Sequence, residues 1–329
     1  MRKASPSIWQ LAGGPISRPY ADVFLRYGVG LIGPGDAGAW TPERDDDEYE
    51  GGFVRRYAID MQVGDIVLLR NSISSITALG VVVSNYMYLT QFDDVNGWDL
   101  QHARRIRWCK LPHEYSFGSP VFGANPTRCS RIWNDEVKDY AERFLNSPPT
   151  QWQEAALPEL PEEEPDLELV PPSLEDIVAQ ACDLGALYWD RQNFGEHPTE
   201  DELVAHFVVP LLRKLGWPPE RIAIKWRWVD IAVFSALPRT PENCRFIIEA
   251  KRLGAGVEGA LEQAKGYLES LGVIRDVIVT DGIRYRMYSG EKGFAPIAYA
   301  NLIRLKRSAV ELFERMKLPK GESTDGTLA

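Results

Sequence analysis

Cys244-Arg245-Phe246-Ile247-Ile248-Glu249-Ala250-Lys251 is an apolar run that acquires a carboxylate and an ammonium two residues apart at its end. In a β-strand that spacing puts both side chains on one face. Apolar runs at 228–234, 245–251 and 276–279, with a helix expected over 257–271 between the last two, predict a βαβ-containing α/β domain. Two helices are expected before them. One spans 174–189, and the other, 199–215, ends at Gly216-Trp217-Pro218-Pro219. Asp230 stands alone in its apolar run, where a buried carboxylate is costly unless it serves a metal or a hydrogen-bond partner. Gln263 and Tyr267 lie four apart and so share a helix face. Thr280-Asp281-Gly282 is a turn signal after the last strand.

Singly, each of these features has an ordinary structural explanation. Their order along the chain carries more. Asp230, then Glu249-Ala250-Lys251, then Gln263-Ala264-Lys265-Gly266-Tyr267, resembles the PD-(D/E)XK nuclease superfamily with its Q-x-x-x-Y helix. Within it the chain is most similar to the N-terminal nuclease domain of type I restriction-enzyme motor subunits. Thr199-Glu200-Asp201-Glu202, leading to Pro210-Leu211-Leu212-Arg213-Lys214-Leu215-Gly216-Trp217, is similar to that family's first helix, which carries an acidic residue. The likeness covers residues 198–288.

The resemblance implies Asp230 and Glu249 as ligands of Mg²⁺, with Mn²⁺ able to substitute. Phosphodiester cleavage calls for a hard cation held by carboxylates. Lys251 would position or deprotonate the attacking water, or offset phosphate charge. Gln263 would orient the site or touch the phosphate backbone, with Tyr267 bracing the same face as a nucleic-acid contact. Glu200 is the preferred helix carboxylate. Glu202 completes a Thr-x-x-Glu capping box with Thr199 and so has a sufficient structural explanation.

The chain has 329 residues and a formal net charge of -10. That balance counts against a phosphate-binding surface only if it is evenly spread. It is not: Glu154, Glu159, Glu162, Glu163, Glu164, Asp166 and Glu168 fall within 151–172 without a single Lys or Arg, among five prolines. Such composition predicts an extended linker over 148–172. It would separate an N-terminal domain (1–147) from a nuclease domain (173–316) with a loose tail (317–329). No apolar run reaches the roughly 18 residues of a spanning helix, and no signal peptide is evident, which points to a cytoplasmic protein with no membrane partner. The four cysteines and four histidines show no zinc spacing.

Residues 9–112 read as short β-segments punctuated by glycine, a small barrel or curled sheet closed by a helix over 134–145. Gly64-Asp65-Ile66-Val67-Leu68-Leu69-Arg70, then Ala78-Leu79-Gly80-Val81-Val82-Val83, then a polar aromatic stretch, resembles the PUA-like group that includes EVE and YTH domains. That likeness implies a mainly β, PUA-like barrel reading modified bases in an aromatic pocket. Trp9, Tyr27, Trp40, Tyr86, Tyr88, Trp98 and Trp108 are candidate rings, two or three of which would sandwich a base. Asp99 or Asn96 is a candidate reader of a base edge, and Arg104, Arg105 and Arg107 are candidate phosphate contacts. Asp45-Asp46-Asp47-Glu48 reads as a solvated loop.

Gly254-Ala255-Gly256-Val257-Glu258-Gly259 also fits a dinucleotide-binding loop, with Asp281 about 20 residues on. Against it, Glu-Ala-Lys-Arg gives a polar interval before the first glycine, and no second mononucleotide half follows. Gly28-Val29-Gly30-Leu31-Ile32-Gly33 is followed by Pro34 and reads as a turn. No G-x-x-x-x-G-K-[ST] occurs, so the chain carries no ATPase motor of its own. The expectation is thus a Mg²⁺-dependent DNA endonuclease of a restriction or phage-defence system. It would act on modified DNA as a homodimer. The alternatives are an effector nuclease needing a helicase or other defence partner, and a non-catalytic nucleic-acid-binding protein.

Overall fold

The computed structural model describes residues 6–15, 19–33, 35, 38–42, 52–95, 98–123, 129–146, 152, 156–253 and 259–319. Asn96, Asp45-Asp46-Asp47-Glu48 and residues 254–258 of the glycine-rich loop lie outside them. The chain divides into two compact units, Met1–Glu163 and Glu164–Ala329. The boundary falls inside the acidic, proline-rich segment, whose two halves belong to different units. In the first unit the Arg105 guanidinium donates to the Pro158 carbonyl, and Leu160 packs on the core. In the second, the Leu167 N–H donates to the Leu305 carbonyl. Within the segment expected as a linker, Leu160 packs on the core of the first unit and Leu167 and Val170 on that of the second, while Leu169 is exposed.

The first unit is built on a seven-stranded sheet in the order β2-β6-β4-β3-β1-β7, with β5 also paired to β6. The strands are β1 (Ile8–Ala12), β2 (Val29–Ile32), β3 (Ile66–Arg70), β4 (Ser75–Val82), β5 (Met87–Tyr88), β6 (His102–Ser116) and β7 (Cys129–Arg131). β1 and β3 are parallel and every other pair is antiparallel. β6 pairs with β2 near its start and runs against β4 beyond it, tying the sheet together. It continues through Pro112, which lacks an N–H. The β4–β6 register shifts there, with Ala78 opposite Lys110 but Ile76 opposite Tyr115. The Asp135–Asn146 helix turns Val137 and Ala141 into a core with Ile8, Leu68 and Leu79. Gly28-Val29-Gly30-Leu31-Ile32-Gly33 is not a turn: Gly28, at φ 60°, ends the Ala21–Tyr27 helix and β2 follows at once.

The second unit carries a six-stranded mixed sheet, β13-β12-β11-β10-β9-β8. Its strands are β8 (Ile222–Trp226), β9 (Val229–Phe234), β10 (Cys244–Ala250), β11 (Asp276–Thr280), β12 (Arg284–Ser289) and β13 (Ala295–Asn301). β10 and β11 are the parallel pair, joined across the Gly259–Leu271 helix as the apolar pattern predicts. Ile231, Val233, Phe246 and Ile248 face one core, with Leu203, Phe207, Leu211 and Trp217. Ala232, Phe234 and Ile247 face another, with Ala264 and Leu268. Such two-sided burial makes these strands continuously apolar, so a carboxylate in them stands out. Thr199 caps the helix that begins at Glu200: its Oγ1 accepts from the Glu202 N–H, and Glu202 Oε2 accepts from the Thr199 N–H at 2.7 Å. That helix widens to a π-turn over Val204–Val208 before Pro210. Pro210 cannot donate to the His206 carbonyl, which accepts from Gln180 Nε2 at 3.4 Å. The tail expected from 317 is anchored at its start, where the Leu318 N–H donates to the Leu215 carbonyl.

Candidate functional site

Three neighbouring strands set the site. Ile224 faces Ile231 and Trp226 faces Val229, which places Lys225 of β8 opposite Asp230 of β9. Ile248 faces Ile231, and one residue further along that register Glu249 of β10 comes opposite Asp230. Lys225, Asp230 and Glu249 thus form a cross-strand row. Lys251, two residues past Glu249, joins the same face.

The side chains meet as this register requires. Asp230 is 5% exposed and Glu249 1%. Asp230 Oδ1 accepts from Lys225 Nζ at 2.7 Å, and its Oδ2 accepts from the Ala250 N–H at 2.8 Å. Glu249 Oε1 accepts from Lys251 Nζ at 3.1 Å. Glu249 Oε2 is buried with no hydrogen-bond partner among the described residues. Burial, reinforced by the neighbouring Asp230 charge and partly offset by Lys251, pushes the Glu249 carboxyl up to about 7. Lys225, held by Asp230 and then Asp201, is pushed above the ordinary lysine value.

Asp230, Glu249 and Lys251 are brought together. Gln263 Nε2 donates to the Tyr267 hydroxyl at 2.6 Å, so those two share a face as their spacing requires, with Gln263 exposed and Tyr267 half-buried against the core. Glu200 is half-buried, but it is Asp201, one residue later, that reaches the row, with Oδ1 3.2 Å from Lys225 Nζ. Lys225 and Asp201 escape the sequence reading, although a lysine five residues before Asp230 is the spacing a two-residue hairpin would pair.

The donor set suits a hard cation: two adjacent buried carboxylates, one with an oxygen unengaged. Among the described residues no three His, Cys, Asp or Glu side chains converge as a metal cage. Mg²⁺ does not require one, since it keeps several waters and takes one or two carboxylates. The dinucleotide alternative finds no ribose ligand, because Asp281 is buried and engaged with Arg284 Nη2 at 2.7 Å and Nε at 3.1 Å.

In the first unit several expected contacts prove structural. Trp9 is buried and its Nε1 donates to Asp65 Oδ2 at 2.9 Å. Arg104 is buried and donates to the carbonyls of Tyr57, Ser84 and Ala58 at 2.8–2.9 Å. Arg105 donates to the carbonyls of Gly28 and Pro158. Both guanidiniums are committed to backbone rather than offered to phosphate. Tyr27 packs edge-on to Phe92, and Trp98 edge-on to Tyr20. Asp99 Oδ2 accepts from the Gly35 N–H at 2.9 Å. The Trp40 N–H donates to the Tyr86 hydroxyl, which lies 2.7 Å from His102 Nδ1, and the Tyr88 hydroxyl donates to the Gly35 carbonyl. Trp40 Nε1 and Gln101 Oε1 are buried without hydrogen-bond partners among the described residues.

Residues 37–119 match the model of a family described as a domain of unknown function (DUF8426), which covers this aromatic cluster. No curated protein matches the chain. Among solved structures the chain is similar to a fragment assigned as an HsdR subunit of a type I restriction enzyme from Vibrio vulnificus YJ016, at 21% identity and a TM-score of 0.25. The match covers 36% of this chain and 25% of that one. Among the described residues no helix is long and apolar enough to cross a membrane.

Proposed function

We propose that the second unit is a metal-dependent phosphodiesterase of the PD-(D/E)XK kind that cleaves DNA, and that the first unit selects modified DNA for it, as in a restriction endonuclease. The observation that carries this reading is the buried Asp230–Glu249 pair with its orphaned Oε2. Two carboxylates set opposite one another in a sheet cost stability and pack poorly, so they are best explained by a ligand that needs them.

Asp230 and Glu249 would hold Mg²⁺, or Mn²⁺ in its place. The ion when bound would polarise the phosphate and acidify a water. Asp230 is aimed by the Ala250 N–H, which fixes one oxygen and leaves the other to exchange partners. Lys251, 22% exposed at its side chain, can release Glu249 and turn its ammonium to a phosphate oxygen or to the attacking water. Lys225 and Asp201 hold Asp230 in position from the second side. In the first unit, Trp40 Nε1 and Gln101 Oε1 are a buried donor and a buried acceptor without partners among the described residues, a chemistry suited to a base edge. Cutting both strands calls for two such sites, hence a homodimer on DNA.

The test is purified protein with Mg²⁺ on unmodified plasmid and on phage DNA carrying methylated, hydroxymethylated, glucosylated or phosphorothioate groups. Cleavage confined to one modified DNA, lost in Asp230→Asn, is the expected result. Cleavage of every DNA would remove the role given to the first unit. No cleavage of any would overturn the nuclease for the isolated chain.

A further inference from the structure

The hairpin that leads into Asp230 is built against conformational preference. β8 and β9 are joined by two residues, Arg227 and Trp228, since Trp226 pairs with Val229. Two-residue hairpins want left-handed residues at both central positions, which is why Asn-Gly dominates them. Here the φ angles are 48° at Arg227 and 77° at Trp228, and Lys225 just before them is also left-handed at 52°. Three bulky residues in that region within four positions form an arrangement that persists only when the surroundings impose it, and such strain clusters at functional sites.

The side chains at this turn are equally unusual. Trp226 is half-buried and packs edge-on to Phe234, with ring centroids 5.1 Å apart. The Arg227 guanidinium lies 4.9 Å from the Trp226 ring centroid, held as a flat cation on an anchored indole. Trp228 is 84% exposed, the most exposed of the large hydrophobic residues described. A tryptophan held so far into solvent, beside a fixed cation and two residues from Asp230, does nothing for the core.

We infer that Trp228 is a stacking platform for an unpaired nucleobase of the substrate strand, with Arg227 beside it for the adjoining phosphate. This rests on the nuclease reading of the same site. Exposed aromatics serve single strands because every base has a π-face, and neighbouring cations follow the backbone. The hairpin would make the enzyme prefer nicked, bubbled or single-stranded segments, where a base is already free of its stack.

The test uses the full chain in EDTA, so that binding is read without cleavage, with a fluorescein-labelled 30-nucleotide single strand and a blunt duplex as probes. Trp228→Gly puts at a left-handed position the residue that tolerates it, so its Tm should stay level or rise. Its Kd for the single strand should rise about tenfold or more, given the usual worth of base stacking. Trp228→Phe should stay within about threefold of wild type. Single-strand binding by Trp228→Gly within about twofold of wild type would overturn the inference, and if plasmid cleavage persists in that variant the nuclease stands without it. Unchanged DNA binding with loss of a dimer in mass photometry would overturn it in favour of a protein interface. A wild-type chain that neither binds nor cleaves DNA would overturn the inference together with the nuclease.

Discussion

Replacing Glu249 by Gln should stabilise the metal-free fold in alkaline buffer while abolishing cleavage. The Glu249 carboxyl titrates near 7 in the folded chain, against 4.5 in the unfolded one. At about 1.4 kcal/mol per pKa unit, its ionised form costs the fold about 3 kcal/mol. Because the folded value is the higher, the cost is absent below pH 4.5, grows between 4.5 and 7, and is fully present above 7. The neutral amide of the Glu249→Gln variant would never incur it. The assay is the difference in Tm between Glu249→Gln and wild type in EDTA, at pH 5 and at pH 8. Taking the difference cancels the titrating groups that do not interact with Glu249 and the fixed cost of burying a new amide. With about 2–4 °C per kcal/mol for a unit of this size, the gap should move in the variant's favour by roughly 5–10 °C from pH 5 to pH 8. Added Mg²⁺ at pH 8 should narrow the gap by stabilising wild type alone, since a bound cation favours the ionised carboxylate. A gap that is the same at both pH values would refute the account of Glu249 as a buried, frustrated acid.

Other expectations concern the scaffold and the surroundings of the site. Arg284→Met strands the fully buried Asp281 carboxylate and should cost about 3–5 kcal/mol in urea unfolding of the second unit. Trp217→Phe removes the indole N–H that donates to the Met316 carbonyl at 2.6 Å, and should cost about 1–3 kcal/mol by the same measurement. Asp201→Asn should slow DNA cleavage about tenfold through Lys225, the usual scale for a residue that orients a ligand, and more than Glu200→Gln does in the same rate assay.

What could be read from the sequence follows from what each signal means physically. Glu249, Lys251 and Asp230 stand out because strands buried on both faces have no ordinary use for charge. The helix at Gly259–Leu271 follows from its apolar spacing. β8 was hidden because Arg227-Trp228 carries none of the chemistry that marks a two-residue turn, so the run at 228–234 is read as starting on the turn itself. With β8 went Lys225 and, through it, Asp201. Arg104 and Arg105 show a different limit: a guanidinium that caps buried carbonyls and one that waits for phosphate are the same letter in a sequence, and only the placement of Tyr57, Ser84 and Gly28 tells them apart. Pro112 likewise argues against a long β6 until the register shift that accommodates it is seen.

The most direct test of the central claim is nicking or linearisation of supercoiled DNA by the purified chain in Mg²⁺, compared with EDTA and with Lys251→Ala, on the DNA that supports the highest rate. Cleavage should require the metal and fall at least about a hundredfold in Lys251→Ala while the variant keeps the wild-type Tm. Cleavage that persists in EDTA, or at an undiminished rate in Lys251→Ala, would place the chemistry somewhere other than the Asp230–Glu249–Lys251 face.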